Sequence, residues 1–133
     1  MPELPENTLN AAERIKLKTQ VDRLFAEGRW VKAFPLNAVY LAEKAAPLFP
    51  PVQIGVSVPK KNISKATGRN YTKRLMRECY RIQKHELVET ARSKDSQLLV
   101  FFVYSGRKKP DYAEICGSMD RLLRQLIKEL EKQ

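Results

Sequence analysis

The chain has 133 residues, a length that corresponds to one domain with its own hydrophobic core. Its 25 lysines and arginines outnumber its 15 aspartates and glutamates, which gives a formal net charge of +10. A charge of this size predicts a polyanionic partner, either a nucleic acid or an anionic membrane surface. Hydrophobic residues make up 43% of the chain, so we do not expect wholesale disorder.

Several classes of protein and site are disfavoured by simple patterns. No apolar run reaches the roughly 18 residues that a membrane-spanning helix needs. Residues 1–6 lack the basic start and the apolar stretch of a secretory signal, so we expect a cytoplasmic protein. Cys79 and Cys116 fall on the apolar stripes of predicted helices and are expected to be buried free thiols. With His85 as the only histidine, we predict no metal site.

The first part of the chain predicts a tail, an arm and a helix. Prolines and little apolar content favour a flexible tail over residues 1–12, so that residues 13–133 would form a single domain. Residues 13–18 alternate polar and apolar side chains, which is typical of an extended segment. A capping-box pattern at Thr19–Asp22 then begins a short helix, for which Asn10 offers an earlier start.

Three segments predict strands. Residues 30–42 have strand character, and Pro35 within them forces a bulge or an edge. Residues 52–58 alternate strictly, with valine and isoleucine on one face. Their other face is either exposed to solvent or a floor for RNA, and it carries Gln53, Gly55 and Ser57. Residues 96–104 are a nearly continuous apolar run, which is typical of a central strand buried on both faces.

Two longer helices complete the predicted fold. A basic helix is expected from about Lys65 to Val88. A capping box at Asp111–Glu114 begins a terminal helix, whose apolar stripe is expected to be ordinary core. The predicted order is a helix, two or three strands, a helix, a strand and a helix; with three strands it is α-β-β-β-α-β-α, an α+β protein built as a two-layer α/β sandwich.

The basic helix separates into two faces when it is plotted at 100° per residue. One arc of about 140° carries Arg69, Asn70, Lys73, Arg74, Arg77, Arg81 and Lys84. The opposite arc carries Tyr71, Leu75, Met76, Cys79 and Ile82. Solvated charged faces usually mix signs, whereas only Glu78 interrupts this one. A cationic row at helical pitch predicts nucleic-acid binding, and we prefer it to a membrane surface because the apolar arc resembles core.

The sequence offers few groups for catalysis by the protein itself. It has one histidine, scattered carboxylates, and no recognisable pattern for a nucleophile, a phosphate-binding loop or a zinc site. We therefore predict no catalytic residue and no metal ligand in this chain.

A match to a known family lies in the segment Lys65–Glu78, which has the pattern K-A-x-x-R-N-x-x-K-R-L-x-R-E. This pattern resembles the signature of the bacterial ribonuclease P protein component. Residues 54–61 are similar to the family's strand and basic loop, and residues 21–28 to its first helix. The resemblance implies a ribosomal protein S5 domain 2-like fold with a left-handed β-α-β crossover, although the general rule favours the right hand.

The resemblance also implies a function. The family's protein binds a large catalytic RNA, and the complex, an endoribonuclease, removes the 5′ leader from precursor tRNA. The catalytic centre is expected in the RNA, with Mg²⁺ held mainly by RNA and no cofactor on the protein alone. The expected partners are the catalytic RNA, in a complex with one protein monomer, and precursor tRNA. The alternative is a general or ribosomal-type RNA-binding protein; a DNA-groove reader is disfavoured because a strand and a loop precede the basic helix.

Position by position, the resemblance assigns RNA contacts to one set of residues. It comprises Arg69, Asn70, Lys73, Arg74 and Arg77, with Lys60, Lys61 and Lys65 as basic neighbours and Arg81 on the same arc. A cleft between the first helix and the open sheet face would hold the leader, lined by Phe25, Tyr40 and Val21. A place in the core is the alternative for Phe25 and Tyr40. The family usually has an aromatic residue in place of Val21 and an arginine in place of Tyr71.

Overall fold

The structure, a computed structural model, describes residues 11–44 and 50–132. In chain order the elements are a 3₁₀ turn (Ala11–Glu13), α1 (Lys18–Glu27), β1 (Arg29–Ala33), β2 (Leu36–Lys44), β3 (Val52–Ser57), α2 (Ala66–Gln83), α3 (His85–Ser93), β4 (Ser96–Tyr104) and α4 (Tyr112–Glu131). None of the helices in these ranges has the length and apolarity to span a bilayer. The predicted tail lies outside the described residues up to residue 10, whereas residues 11 and 12 belong to the 3₁₀ turn.

The four strands form one sheet in the order β1-β2-β4-β3. β1 and β2 pair antiparallel, as do β2 and β4, whereas β3 and β4 pair in parallel. The connection between β3 and β4 is therefore a crossover, and it passes through α2 and α3. The main core lies between the sheet and helices α2, α3 and α4, while α1 packs on the opposite face. The predicted two-layer α+β fold is confirmed, with one additional helix; the hand of the crossover stays a prediction.

Alternation along the strands divides the core between the two faces of the sheet. Ile54 of β3 and Phe102 of β4 point to the helix-covered face, where they join Met76 of α2 and the apolar stripe of α4. Leu99 of β4 points to the other face and packs with Leu24 of α1. As predicted, β4 is a central strand with buried side chains on both faces.

The prediction of a single basic helix that reaches Val88 is wrong beyond Gln83. α2 ends at Gln83 and α3 begins at His85, with Lys84 between them. Lys84 is only 5% exposed, and its ammonium group lies 2.8 and 2.6 Å from the two carboxylate oxygens of Glu13. Because a buried ammonium group needs such a partner, Lys84 does not extend the cationic row.

The strand predicted over residues 30–42 is in fact a hairpin. A two-residue turn at Phe34 and Pro35 joins β1 to β2, so Pro35 makes the turn and not a bulge or an edge within one strand. Proline has no backbone N–H for a strand ladder, which is why it fits the turn. The register places Trp30 opposite Val39, on the same face of the sheet.

The two capping-box predictions have different outcomes. α1 begins at Lys18 after Leu17, without a side-chain cap, so the pattern at Thr19 is not used. At α4 the carboxylate of Asp111 accepts a hydrogen bond from the backbone N–H of Glu114 at 2.7 Å, as predicted.

The expectation of free thiols is wrong. Cys79 of α2 and Cys116 of α4 form a disulfide, with Cα atoms 5.0 Å apart. Both residues lie on the sides where the two helices face each other, so the packing of the apolar stripes brings the sulfurs together.

Candidate nucleic-acid interface

The predicted division of α2 into two faces is confirmed over most of its length. Thr72, Met76, Cys79 and Tyr80 are buried against the core. The outward side, which we call the basic face, consists of Arg69, Asn70, Lys73, Arg74, Arg77 and Arg81. Its members are exposed or half-buried. Ile82, which was predicted on the apolar arc, is exposed.

Two arginines of the basic face also bond within the protein. The guanidinium group of Arg69 donates to the carbonyl oxygens of Ile63 and Ser64, at 3.1 and 2.6 Å, which fastens the preceding loop to the helix. Arg81 donates to both carboxylate oxygens of Glu78 at 2.9 and 2.5 Å. These hydrogen bonds raise the pKa of Arg81 and lower that of Glu78.

The positive charges at the centre of the basic face are not neutralised by ion pairs within the described residues. Within residues 11–44 and 50–132, no carboxylate forms an ion pair with Lys73, Arg74 or Arg77. Burial lowers the pKa of Arg77, and the positive charge of nearby Arg14 lowers it further. Two guanidinium groups that repel each other are stabilised by an anion between them, so this part of the face favours a phosphate.

The predicted basic neighbours lie at the N-terminal end of the basic face. Lys60 and Lys61 are exposed in the turn after β3, and Lys65 is the exposed residue immediately before α2. Their loop is anchored by Asn62, whose side-chain amide donates to the carbonyl oxygen of Gly106 at 2.9 Å. The loop therefore presents its cations next to the helix in a defined position.

The extended arm predicted for residues 13–18 is confirmed only for residues 14–17, which lie beside β3, because residue 13 belongs to the 3₁₀ turn and residue 18 to α1. The backbone N–H of Ile15 donates to the carbonyl oxygen of Ile54 at 2.8 Å, and Arg14 forms a parallel bridge with Ile54. A cavity of about 180 Å³, the edge cleft, lies next to the arm, lined by Arg14, Ile15, Ile54, Gly55, Val56, Arg77 and Phe101. Arg77 of the basic face and Phe101 of the open sheet face thus line one cleft.

Three aromatic residues form an exposed cluster on the α1 side of the sheet. The ring centroid of Phe25 lies 5.7 Å from that of Trp30 and 5.3 Å from that of Phe101, in edge-to-face geometry. Phe25 is 42% exposed and Trp30 is 45% exposed. Val21 is half-buried on α1, one turn before Phe25. We call Phe25, Trp30 and Phe101 the aromatic cluster.

The polar face of β3 is covered in two of its three positions. Gln53 is buried, donates to the carbonyl oxygen of Ala12 at 3.0 Å and accepts from Gln97 at 3.2 Å. A methyl group on Gly55 would clash with the ring of Phe101, so this ring lies against the glycine. At Gly55, the surface available to a ligand is therefore the Phe101 ring and not the bare strand.

Tyr40 does not share a cleft with Phe25, and the prediction that both line one site is wrong for Tyr40. Its side chain is 7% exposed and belongs to the core on the helix-covered face. Burial raises the pKa of Tyr40, and Glu129 of α4 raises it further. The adjacent Val39 faces α1, because neighbouring residues of a strand point to opposite faces.

Sequence reasoning missed three residues of this surface. The position of Trp30 was missed because β1 and β2 were taken as one strand. If Pro35 had been recognised as part of a turn, Trp30 would have been paired with Val39. Phe101 lies in an apolar run that masks the alternation of β4. Arg14 was assigned to an extended arm, and the sequence carries no signal that places it near Arg77.

The described residues hold no assembled metal site. Across residues 11–44 and 50–132, no three side chains of histidine, cysteine, aspartate or glutamate come together as metal ligands would.

The surface consists of a row of cations joined to an exposed aromatic cluster. Such an arrangement is suited to binding a polyanion and to stacking on planar rings.

Comparison with known proteins identifies the family. The sequence matches the Ribonuclease P family over residues 9–127. The ribonuclease P protein component of Porphyromonas gingivalis (strain ATCC 33277) is 30% identical over 116 residues, covering 86% of this chain and 83% of that protein. That of Chlorobaculum tepidum is 33% identical over 133 residues, covering 93% and 83%.

A solved structure supports the fold. The structure of the Staphylococcus aureus RNase P protein superimposes with a TM-score of 0.65 at 21% identity, covering 85% of this chain and 94% of that one. The sequence matches span nearly the whole chain, and they include the segment that forms the basic face. The chain therefore belongs to the ribonuclease P protein family.

Proposed function

We propose that this chain is the RNA-binding protein subunit of ribonuclease P, and that it acts in the removal of the 5′ leader from precursor tRNA. Family membership supports the assignment to this ribonuclease complex. The strongest structural support for the proposal is that Arg77 and Phe101 line the same cleft. The basic face and the aromatic cluster therefore form one continuous surface.

The two parts of this surface suit two kinds of RNA. The basic face suits a structured RNA, because folded RNA presents rows of phosphates that a helical row of cations can neutralise. The aromatic cluster suits the single-stranded leader, since unpaired bases stack on exposed rings such as Phe25 and Trp30. Stacking tolerates any base, so it would accommodate leaders of different sequence.

The bond cleavage itself is assigned to the RNA subunit, which would hold the Mg²⁺ ions. The contribution of this chain is electrostatic: its net charge of +10 reduces the repulsion between two RNA molecules that must lie side by side. The protein should therefore tighten substrate binding and lower the Mg²⁺ concentration that cleavage requires.

Reconstitution tests this proposal. The protein alone should not cleave precursor tRNA, whereas protein with its cognate ribonuclease P RNA should cleave at the 5′ end of the mature tRNA. The protein should also lower the Mg²⁺ concentration at half-maximal rate relative to the RNA alone. His85→Ala should leave the rate unchanged, because no proton transfer is assigned to this exposed side chain.

Two results would contradict the assignment. Cleavage by the protein alone would place catalytic groups in this chain. Recovery of ribosomal RNA, and not ribonuclease P RNA, with the purified protein would favour a general RNA-binding protein.

A further inference from the structure

The segment of residues 105–110, which follows β4 and precedes Asp111, the capping residue of α4, carries three consecutive exposed cations, Arg107, Lys108 and Lys109. We call it the 105–110 loop. Its backbone is held by hydrogen bonds before the basic run and at the middle of it. The backbone N–H of Ser105 donates to the carbonyl oxygen of Pro35 at 2.7 Å, and the hydroxyl group of Tyr104 donates to the carbonyl oxygen of Lys108.

The 105–110 loop is also tied to the loop that precedes α2. The side-chain amide of Asn62 donates to the carbonyl oxygen of Gly106, and both Gly106 and Pro110 are buried. Two basic segments that are 44 residues apart in the sequence are thereby joined side by side. This contact places the cations of the 105–110 loop at the N-terminal end of the basic face.

One of these cations is held by an aromatic ring. The ammonium group of Lys109 lies 4.3 Å from the ring centroid of Tyr71, in the first turns of α2. The ring attracts the cation, which restricts a side chain that would otherwise sample many rotamers. Tyr71 thus keeps a positive charge against α2, although tyrosine itself carries none.

A groove of about 400 Å³ lies between the two loops. Lys65 lines it from one loop, and Arg107 and Lys109 line it from the other. None of the residues that line the groove is acidic. Three cations around an open space, with no carboxylate among them, favour an anion with several acceptor oxygens.

We propose that this groove binds a backbone phosphate of the ribonuclease P RNA, and that Tyr71 positions Lys109 for that contact. The proposal rests on the proposed function and extends the RNA-binding surface beyond α2 to the 105–110 loop. It also accounts for Tyr71, which stands where the family signature has arginine: the charge comes from a different part of the chain and is held over the ring.

The test measures the affinity of the full chain for ribonuclease P RNA as a function of salt. Lys109→Ala should weaken binding about tenfold, the loss expected for one charge-assisted hydrogen bond. It should also reduce the slope of log affinity against log salt by about one. Lys128→Ala removes the same charge from the exposed side of α4 and should change neither quantity measurably.

Variants at Tyr71 distinguish a role in positioning Lys109 from a direct contact between Tyr71 and the RNA. Tyr71→Phe retains the ring and should bind like the wild type, whereas Tyr71→Leu should lose part of the affinity that Lys109→Ala loses. Combining Tyr71→Leu with Lys109→Ala should add little to Lys109→Ala alone. Tyr71→Arg should restore binding to the Lys109→Ala variant, because it returns a cation to the same place.

The outcomes distinguish the inference from the proposed function. If the wild type binds the RNA and Lys109→Ala binds equally well with the same salt slope, the groove proposal is overturned and the proposed function stands. If the wild type does not bind ribonuclease P RNA, both are overturned. Equal losses from Lys109→Ala and Lys128→Ala would overturn the groove as a site, because the effect would be one of total charge.

Discussion

The helices α2 and α4 pack on the same face of the sheet and are both amphipathic, yet only α2 presents a surface suited to RNA. α2 contains five basic residues and one acidic residue, whereas α4 contains three basic and four acidic residues. The cations of α2 are concentrated on the side that faces away from the core. Those of α4 are interspersed with carboxylates.

The cations of α4 are also used within the protein. Arg124 forms an ion pair with Asp120 at 3.0 Å, and Arg121 donates to the carbonyl oxygen of Phe34 at 3.1 Å. On α2, Lys73, Arg74 and Arg77 form no such pair with any described carboxylate. The separation of signs, and not the number of charged residues, therefore distinguishes the proposed binding surface from α4.

The largest expected effect is that of salt. If the surface of α2 and its neighbouring loops neutralises about six phosphates, affinity for ribonuclease P RNA should fall on the order of 10³-fold between about 50 and 200 mM salt. A titration of affinity against salt measures this directly. A nearly flat response would show that α2 does not bind through its charges and would remove the contrast with α4.

A matched pair of double variants tests the contrast itself. Lys73→Ala with Arg77→Ala should weaken RNA binding on the order of 100-fold, because two charge-assisted contacts are lost. Arg124→Ala with Lys128→Ala removes the same residue types, with the same spacing, from α4 and should change affinity less than about threefold. Thermal unfolding should confirm that both proteins fold. Equal losses would mean that RNA affinity depends on the total charge of the protein and not on a specific site.

The aromatic residues show the same contrast, because Phe25 lies in the cluster joined to the α2 surface, whereas Tyr40 lies beneath α4 beside Glu129. Phe25→Leu should weaken binding of precursor tRNA to the holoenzyme about tenfold, the contribution of one stacked base. Binding of mature tRNA, which has no leader, should not change. Tyr40→Leu should lower stability without this selectivity; a selective loss with Tyr40→Leu would contradict the assignment of the faces.

The smallest effect on RNA affinity is expected at the end of α2, where Lys84 is buried against Glu13. Glu13→Gln leaves a buried ammonium group without its carboxylate and should lower the free energy of unfolding by about 3 kcal/mol. RNA affinity of the folded protein should change less than about threefold, since Lys84 is not on the surface. Glu89→Gln, which breaks an exposed pair with Arg92, should cost less than about 1 kcal/mol. Denaturant unfolding and RNA titration measure the two quantities.

The features of the fold that depend on local periodicity, such as which side of a helix or strand is buried, were predictable from the sequence. The helical spacing of Met76 and Cys79 against that of Lys73 and Arg77 was enough to tell the buried side of α2 from its outer side. The strict alternation of residues 52–58 likewise identified which residues of β3 face the helices.

The remaining features depend on contacts between distant parts of the chain. Lys73 and Lys84 lie on the same predicted arc, but only Lys84 meets a carboxylate, from a residue 71 positions earlier. The face on which Tyr40 lies follows from the hairpin register, which a one-residue difference reverses. The meeting of Arg14 with Arg77 requires the arm to pair beside β3, and no local pattern encodes that pairing.

Lysine footprinting of the full chain compares α2 with the end of α4 as RNA-binding surfaces, because both offer lysines that can be modified. The protein would be acetylated briefly with and without ribonuclease P RNA, and modification at each lysine measured by mass spectrometry. We expect strong protection of Lys65 and Lys73 by RNA and little change at Lys128 and Lys132. Equal protection of both groups, or protection of the α4 lysines alone, would contradict a binding surface formed by α2.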